Sequence, residues 1–187
     1  NTKLTSLTVT NKPQLTTVNA NDNPNLTEAS INSNSVLSTL NITNCPAMTW
    51  LECSSNNLSS LNLSGNTALT TLNCYSNKLT SLGVSALTNL TNLNCANNQL
   101  TSLSVTNNTK LRELNCYSNK LTSLNVQGCN ALNNLTCYQN QMTEAGMSTL
   151  VNSLPTRSSS SKGYLYTLYN TGESNVFTNA HCATATA

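Results

Sequence analysis

The 187-residue chain has a net charge of +2, and only 7% of its residues are charged. Asn (34), Thr (29) and Ser (24) make up nearly half of it. Such a surface is polar but almost uncharged: it lacks the clustered Lys and Arg that nucleic acid requires, offers no polybasic patch to an anionic membrane, and contains no apolar run near the roughly 18 residues of a membrane span.

This composition alone reads as disorder, but the apolar residues recur with a strict period, so each unit can bury its share of a common core. The chain opens as NTKLTSLTVT, already inside the pattern, which reads as a processed mature protein or a piece of a longer one. Half-units begin at Leu4, Leu15, Leu26, Leu37 and Met48, each 11 residues apart. From Met48 the spacing alternates between 10 and 11, at Leu58, Leu69, Leu79, Leu90, Leu100, Leu111, Leu121, Leu132 and Met142. The first two coils, Leu4–Asn25 and Leu26–Ala47, are looser. Ala20 and Ala29 replace large residues, and Pro13, Pro24 and Pro46 fall at turns. Which half of these coils faces which side is open, because TSLTVT reads like a second half placed first.

From Met48 the unit is regular. MTWLECSSNNLSSLNLSGNTA, LTTLNCYSNKLTSLGVSALTN, LTNLNCANNQLTSLSVTNNTK and LRELNCYSNKLTSLNVQGCNA follow at a period of 21, with apolar residues at positions 1, 4, 6, 11, 14 and 16 and Asn at position 9. A period in this range with L-x-x-L-x-L-x-x-N marks a leucine-rich-repeat solenoid. In the first half, x-L-x-C-x alternates with period 2 and predicts a short strand with Leu and Cys inward. Stacking successive coils gives a parallel sheet on one face. The second half, x-L-x-V-x, predicts a second, shorter extended segment. The expected fold is therefore mainly β with little helix, in about seven coils of 21–22 residues. Asn56, Asn77, Asn98, Asn119 and Asn140 form one column, expected to turn inward and bond the backbone of their own turn and of the next coil.

After Met142 the pattern breaks. TEAGMSTLVNSLPTR carries Met147, Leu150, Val151 and Leu154 at helical spacing, with Thr143 as N-cap and Pro155 as the stop. The solenoid is expected over 1–142 and a C-terminal cap over 143–187, with a helix at about 143–154 and a strand at about 164–170. SSSSKG reads as a turn, and AHCATATA as a frayed terminus.

Of the eight cysteines, Cys53, Cys74, Cys95, Cys116 and Cys137 share the inward position 6 and read as a buried thiol ladder. Side chains running in parallel register do not make disulfide dihedrals, and a line of thiols is not a tetrahedral metal cage. Cys45 and Cys129 fall in one variable column four coils apart, and Cys182 is within reach of Cys129 through the cap. His181, the only histidine, adjoins Cys182, which does not provide the facing geometry of a Cys–His nucleophile. Glu52 and Glu113 read as one outward column three coils apart, about 14 Å by the strand spacing, too far for the carboxylate pair of glycoside hydrolysis. No phosphate loop or metal-ligand spacing occurs. No catalysis, cofactor or metal is expected.

Binding is expected on the outward positions of the strand face: Trp50, Glu52 and Ser54; Thr71, Asn73 and Tyr75; Asn92, Asn94 and Ala96; Glu113, Asn115 and Tyr117; Asn134, Thr136 and Tyr138. The candidate ligand residues are Trp50, Glu52, Tyr75, Asn94, Glu113, Asn115, Tyr117 and Tyr138, because exposed aromatics anchor partners; Tyr also simply favours strands. The opposite half carries hydroxyl columns, Ser59, Thr80, Thr101 and Thr122 beside Ser60, Ser81, Ser102 and Ser123, with Ser64, Ser85 and Thr106 as a third. Asn62, Gly83, Asn125 and Gln127 interrupt them. Sequons at Asn25, Asn41, Asn57, Asn62, Asn89, Asn107 and Asn134 arise readily in this composition.

The L-x-x-L-x-C-x-x-N-x-L-x-x-L-x-V pattern resembles that of bacterial secreted or cell-surface leucine-rich-repeat proteins, particularly those of Bacteroidetes. The tail MTEAGMSTLVNSLPTR…GYLYTLYNTGESN resembles the C-terminal cap of that group. The resemblance covers roughly Leu4 to Cys182 and implies an extracellular role in protein binding, adhesion or structure, with no catalytic residues. Three functions follow as expectations: recognition of a protein or glycan through the sheet face; self-association into filaments by head-to-tail stacking of coils; and ice binding on the Ser/Thr face.

Overall fold

Every 21 or 22 residues the chain returns to the same backbone position, one strand spacing further along. In the computed structural model, residues 1–156, 163–166 and 174–176 are described. The strands are β1 Ser6–Thr8, β2 Thr17–Asn19, β3 Glu28–Ser30, β4 Thr39–Asn41, β5 Trp50–Glu52, β6 Thr71–Asn73, β7 Asn92–Asn94, β8 Glu113–Asn115, β9 Asn134–Thr136 and β10 Tyr164–Tyr166; the helix α1 spans Glu144–Ser153. One parallel sheet of eight strands runs in the order β1-β3-β5-β6-β7-β8-β9-β10. Its register sets Leu7, Ala29, Leu51, Leu72, Leu93, Leu114, Leu135 and Leu165 over one another. The first half of each early coil therefore joins the main sheet, which settles the placement of TSLTVT. The second half pairs only as β2 with β4 and as isolated bridges at Asn41–Asn62 and Ser104–Asn125. The mainly β solenoid with little helix is as expected. Six coils are complete, and in the seventh the second half gives way to α1.

The apolar positions fill one continuous core. Leu26, Leu69, Leu90 and Leu111 at position 1, and Leu51, Leu72 and Leu114 at position 4, are fully buried. Truncating one such leucine to alanine costs about 2–5 kcal/mol. At the N-terminal end Leu4, Leu7, Val9 and Leu15 are only half-buried.

The corner after each strand depends on two consecutive residues. The first takes a left-handed backbone: Ser33, Ser55, Ser76, Asn97, Ser118 and Gln139, at φ between 51° and 59°. That conformation costs a non-glycine residue about 1–2 kcal/mol. It turns the chain so that the following Asn points inward. The Asn98 amide donates to the Cys95 and Ala96 carbonyls of its own turn and to Cys74 of the coil before, all at 3.1 Å, and its carbonyl accepts Leu79 N–H at 3.0 Å. Asn56, Asn77, Asn119 and Asn140 repeat this arrangement. The inter-coil bonds were expected to reach the next coil. They reach the preceding one, because the left-handed turn aims the amide back toward the start of the chain.

Two rungs extend the ladder at its ends. Asn34 donates to Val9 O and accepts from Lys12 N, both at 2.9 Å. Asn175, from beyond the repeats, donates to Cys137 O at 3.0 Å and accepts from Met142 N at 3.1 Å. The opposite corner has a mixed column of Asn23, Cys45, Asn66, Leu87, Asn108 and Cys129. Although its residue type varies, this column is buried throughout. Here Cys45 and Cys129 act as Asn substitutes: their thiols donate to Ala20 O at 3.4 Å and Val105 O at 3.2 Å in the coil before.

The helix forms where expected. The Thr143 side chain accepts from Gly146 N at 3.0 Å, Met147, Leu150 and Val151 are buried, and the chain leaves the helix at Leu154 before Pro155. α1 lies directly on the last complete coil. A Cβ on Gly146 would stand 2.0 Å from Thr122 O, so only glycine allows this approach. Ser153 Oγ accepts from Val126 N at 3.0 Å. β10 continues the sheet beyond β9. The remainder of the strand expected over 164–170, the turn at 158–162 and the terminal segment lie outside the described residues.

Replacing Asn98 with Ala strands the Leu79 N–H and removes the donor for three carbonyls. The expected loss is about 2–4 kcal/mol, read as a lower urea midpoint, whereas Thr101→Ala, at an exposed position, changes stability by less than about 0.5 kcal/mol.

Candidate functional site: the sheet face and the thiol column behind it

The pleat of each strand sends one set of side chains inward and the other to the outer face. The register resolves that face into three columns. The first is Trp50, Thr71, Asn92, Glu113 and Asn134; the second is Glu52, Asn73, Asn94, Asn115 and Thr136. The third, two residues further on, is Ser54, Tyr75, Ala96, Tyr117 and Tyr138. Glu52 and Glu113 are therefore in neighbouring columns, not the same one. The slip arises because one occupies position 5 and the other position 3 of the coil. Ser54 and Ala96, expected outward, are buried, at 2% and 0% exposure.

The eight expected ligand residues do share this face, but several are occupied by the face itself. Glu52 accepts from Ser54 N at 2.9 Å and from the Asn73 amide. Glu113 accepts from the Asn92 amide at 2.8 Å, and Asn94 from Ala96 N at 3.2 Å. Trp50 is half-buried within the column. Asn115 makes no side-chain hydrogen bond among the described residues. Tyr117 and Tyr138 stack with ring centroids 4.8 Å apart and planes at 19°. That separation is one coil, so the solenoid's own repeat sets the stacking distance. The Tyr117 hydroxyl accepts from the Asn97 amide at 3.4 Å.

On the inner side, Cys53, Cys74, Cys95, Cys116 and Cys137 are all fully buried. Burial pushes the thiols of Cys74 and Cys116 well above their ordinary value, and neighbouring thiols add to this. Burial drives Cys53 upward too and raises Cys95 to about 12. A protonated, dry thiol is a poor nucleophile, so this column is packing. Cys129 is a free thiol, while Cys182 and His181 lie outside the described residues.

The hydroxyl columns of the second half are exposed throughout and continue into Thr16, Ser38, Thr17 and Thr39. Their backbone pairs continuously only from β2 to β4. A shallow hollow of about 400 Å³, lined by Asp22, Pro24, Asn44, Pro46 and Gly65, includes none of the expected residues. Proline pairs one coil apart, 22 residues, were its only trace in the sequence.

Together the coil, the asparagine corner and the parallel sheet define a leucine-rich-repeat solenoid fold. A family model described as leucine-rich repeats in two copies matches residues 67–108. No curated protein matches the chain. Among solved structures, the functional domain of InlJ from Listeria monocytogenes, described as including a cysteine ladder, is 30% identical over 74% of this chain and 38% of its own, with a TM-score of 0.56. An internalin, InlF, from the same organism is 21% identical over 87% of this chain and 46% of its own, at a TM-score of 0.67. The Leptospira interrogans leucine-rich-repeat protein LIC12759 is 19% identical over 87% and 59%, at 0.52. The last two show the fold alone. The chain thus spans between 38% and 59% of the length of these structures. No helix among the described residues is long and apolar enough to cross a membrane.

The thiols set a pH dependence. In the unfolded chain they ionise near the ordinary cysteine value of about 8.5, while in the fold Cys95 holds its proton to about 12. The unfolded state then binds fewer protons, so stability falls as pH rises through this window. Urea midpoints are expected to be level below about pH 8 and to decline above pH 9, with a shallower decline in Cys95→Ala. The five column thiols are also expected to resist iodoacetamide in the native protein and react in denaturant, as mass spectrometry would read.

Proposed function

We propose that this chain is a non-enzymatic recognition module that binds a protein partner through the outer face of its sheet, at an extracellular or cell-surface location. The observation that carries this reading is the Tyr117–Tyr138 stack on that face. Aromatic anchors of this kind dominate interface energies. The stack lies on a rigid sheet and needs no ordering on binding. A glycan ligand is the less favoured occupant of the same face: sugars pack on free ring faces, and each of these rings spends one face on the other. Filament growth by head-to-tail stacking finds the second half of the last coil already covered by α1. Ice binding would need a flat continuous lattice, and the second half is a paired sheet only from β2 to β4.

The test is binding to immobilised peptide and glycan arrays. Peptide binding is expected, and Tyr117→Ser with Tyr138→Ser should weaken it about 30-fold or more, the loss of a 2 kcal/mol hot spot, with circular dichroism unchanged. Binding confined to glycans, or indifferent to the double substitution, overturns the proposal.

A further inference from the structure

Charge is scarce in this chain, and its placement is uneven. Residues 1–68 hold Lys3 and Lys12 against Asp22, Glu28 and Glu52, whereas residues 69–142 hold Lys78, Lys110, Arg112 and Lys120 against Glu113 alone. The cationic stretch is the one that carries Tyr75, Tyr117 and Tyr138. Lys78 and Lys120 occupy the same corner position, immediately past the Tyr75 and Tyr117 turns, and stand two coils apart, about 10 Å by the strand spacing. Lys110 and Arg112 flank the other end of the same strand, β8. All four are exposed.

Among the described residues no acid ties down any of the four. Lys120 Nζ donates to the neutral Gln99 carbonyl at 3.3 Å and Lys110 Nζ to Asn89 at 2.8 Å. Among the described residues none of them is in an ion pair. The Glu113 carboxylate is held by Asn92 within the face. Arg112 also departs from a structural column. Thr27, Thr49, Thr70 and Thr91 each donate a hydroxyl to the carbonyl one coil back, and Arg112 takes the next place with no such bond.

We infer that the partner of the tyrosine-bearing half of the sheet is an acidic polypeptide segment. Its aromatic or aliphatic side chains pack on the Tyr117–Tyr138 stack and its carboxylates meet Lys78 and Lys120 on one rim and Arg112 and Lys110 on the other. The inference rests on the sheet face being the binding face. Cations without an acidic partner form charge-assisted bonds to carboxylates, which outcompete neutral acceptors such as Gln99 and Asn89, and complementary charge selects partners and raises the association rate.

The experiment measures binding of the full chain to 12-residue peptide libraries rich in Glu, Asp and Phe, against matched libraries with Gln and Asn, or Lys, in place of the acids. The acidic set is expected to bind at least tenfold tighter in 20 mM salt and to lose most of that margin at 500 mM. Lys78→Gln with Lys120→Gln should remove at least fivefold of the acidic preference while leaving binding of the neutral set unchanged. Tyr117→Ser should weaken both sets, and Lys3→Gln with Lys12→Gln should change neither. Equal binding of acidic and neutral sets, still sensitive to Tyr117→Ser, overturns the acidic partner and leaves the sheet-face reading standing. Binding indifferent to Tyr117→Ser, or the absence of binding to every library, overturns both. Preference for polygalacturonate over all peptides replaces the polypeptide with an acidic glycan.

Discussion

The structure depends on one amide per coil. A chain that turns a corner inside its own core leaves N–H and carbonyl groups away from water, and each unpaired group costs about 1–3 kcal/mol. Asn98 illustrates the solution: one side chain satisfies three carbonyls and one N–H, two of these groups in the coil before it. The left-handed Asn97 ahead of it aims that side chain inward. The corner, not the leucines, fixes how one coil sits on the next; leucines alone tolerate sliding, whereas a four-fold amide contact does not.

Once the corners are fixed, the surface follows from the pleat. Leu and Cys go in, and the alternate residues have nowhere to go but out. The face that results is largely self-sufficient, with Asn and Glu bonding across neighbouring coils at Glu52–Asn73 and Asn92–Glu113. The stacked tyrosines and the exposed cations at the strand ends break the repetition of this Asn- and Glu-rich plane. A rigid array with few unspent groups is a scaffold whose specificity resides in a handful of substitutions on an otherwise repetitive plane.

Most of the architecture was legible because the period writes the same physical requirement many times over. The strands, the inward Cys column and the Asn column from Asn56 to Asn140 each repeat with fixed spacing, and the N-cap Thr143 with Pro155 bounded the helix. What escaped lies where the period changes or stops. Asn34 falls 22 residues before Asn56 rather than 21, and Asn175 comes from the tail, where no spacing predicts a rung. The direction of the amide bonds was misjudged because handedness of a turn is not visible in a pattern of letters. The burial of Cys45 and Cys129 was hidden because Asn, Cys and Leu share one column there, which reads as variability although all three fill the same buried position. Ser54 and Ala96 were assigned outward by parity, yet they are buried, since parity says nothing about what neighbouring side chains cover.

The interlocking described for Asn98 extends across a single boundary: side chains and backbone of one coil engage the coil immediately before it. A gene encoding such a chain can therefore duplicate or excise a whole interior unit and leave every remaining joint intact, provided the cut respects the 21-residue frame. Reach across a target then becomes a quantity adjustable in integer steps, and lineages would be expected to differ in the number of coils sooner than in the chemistry of any one corner.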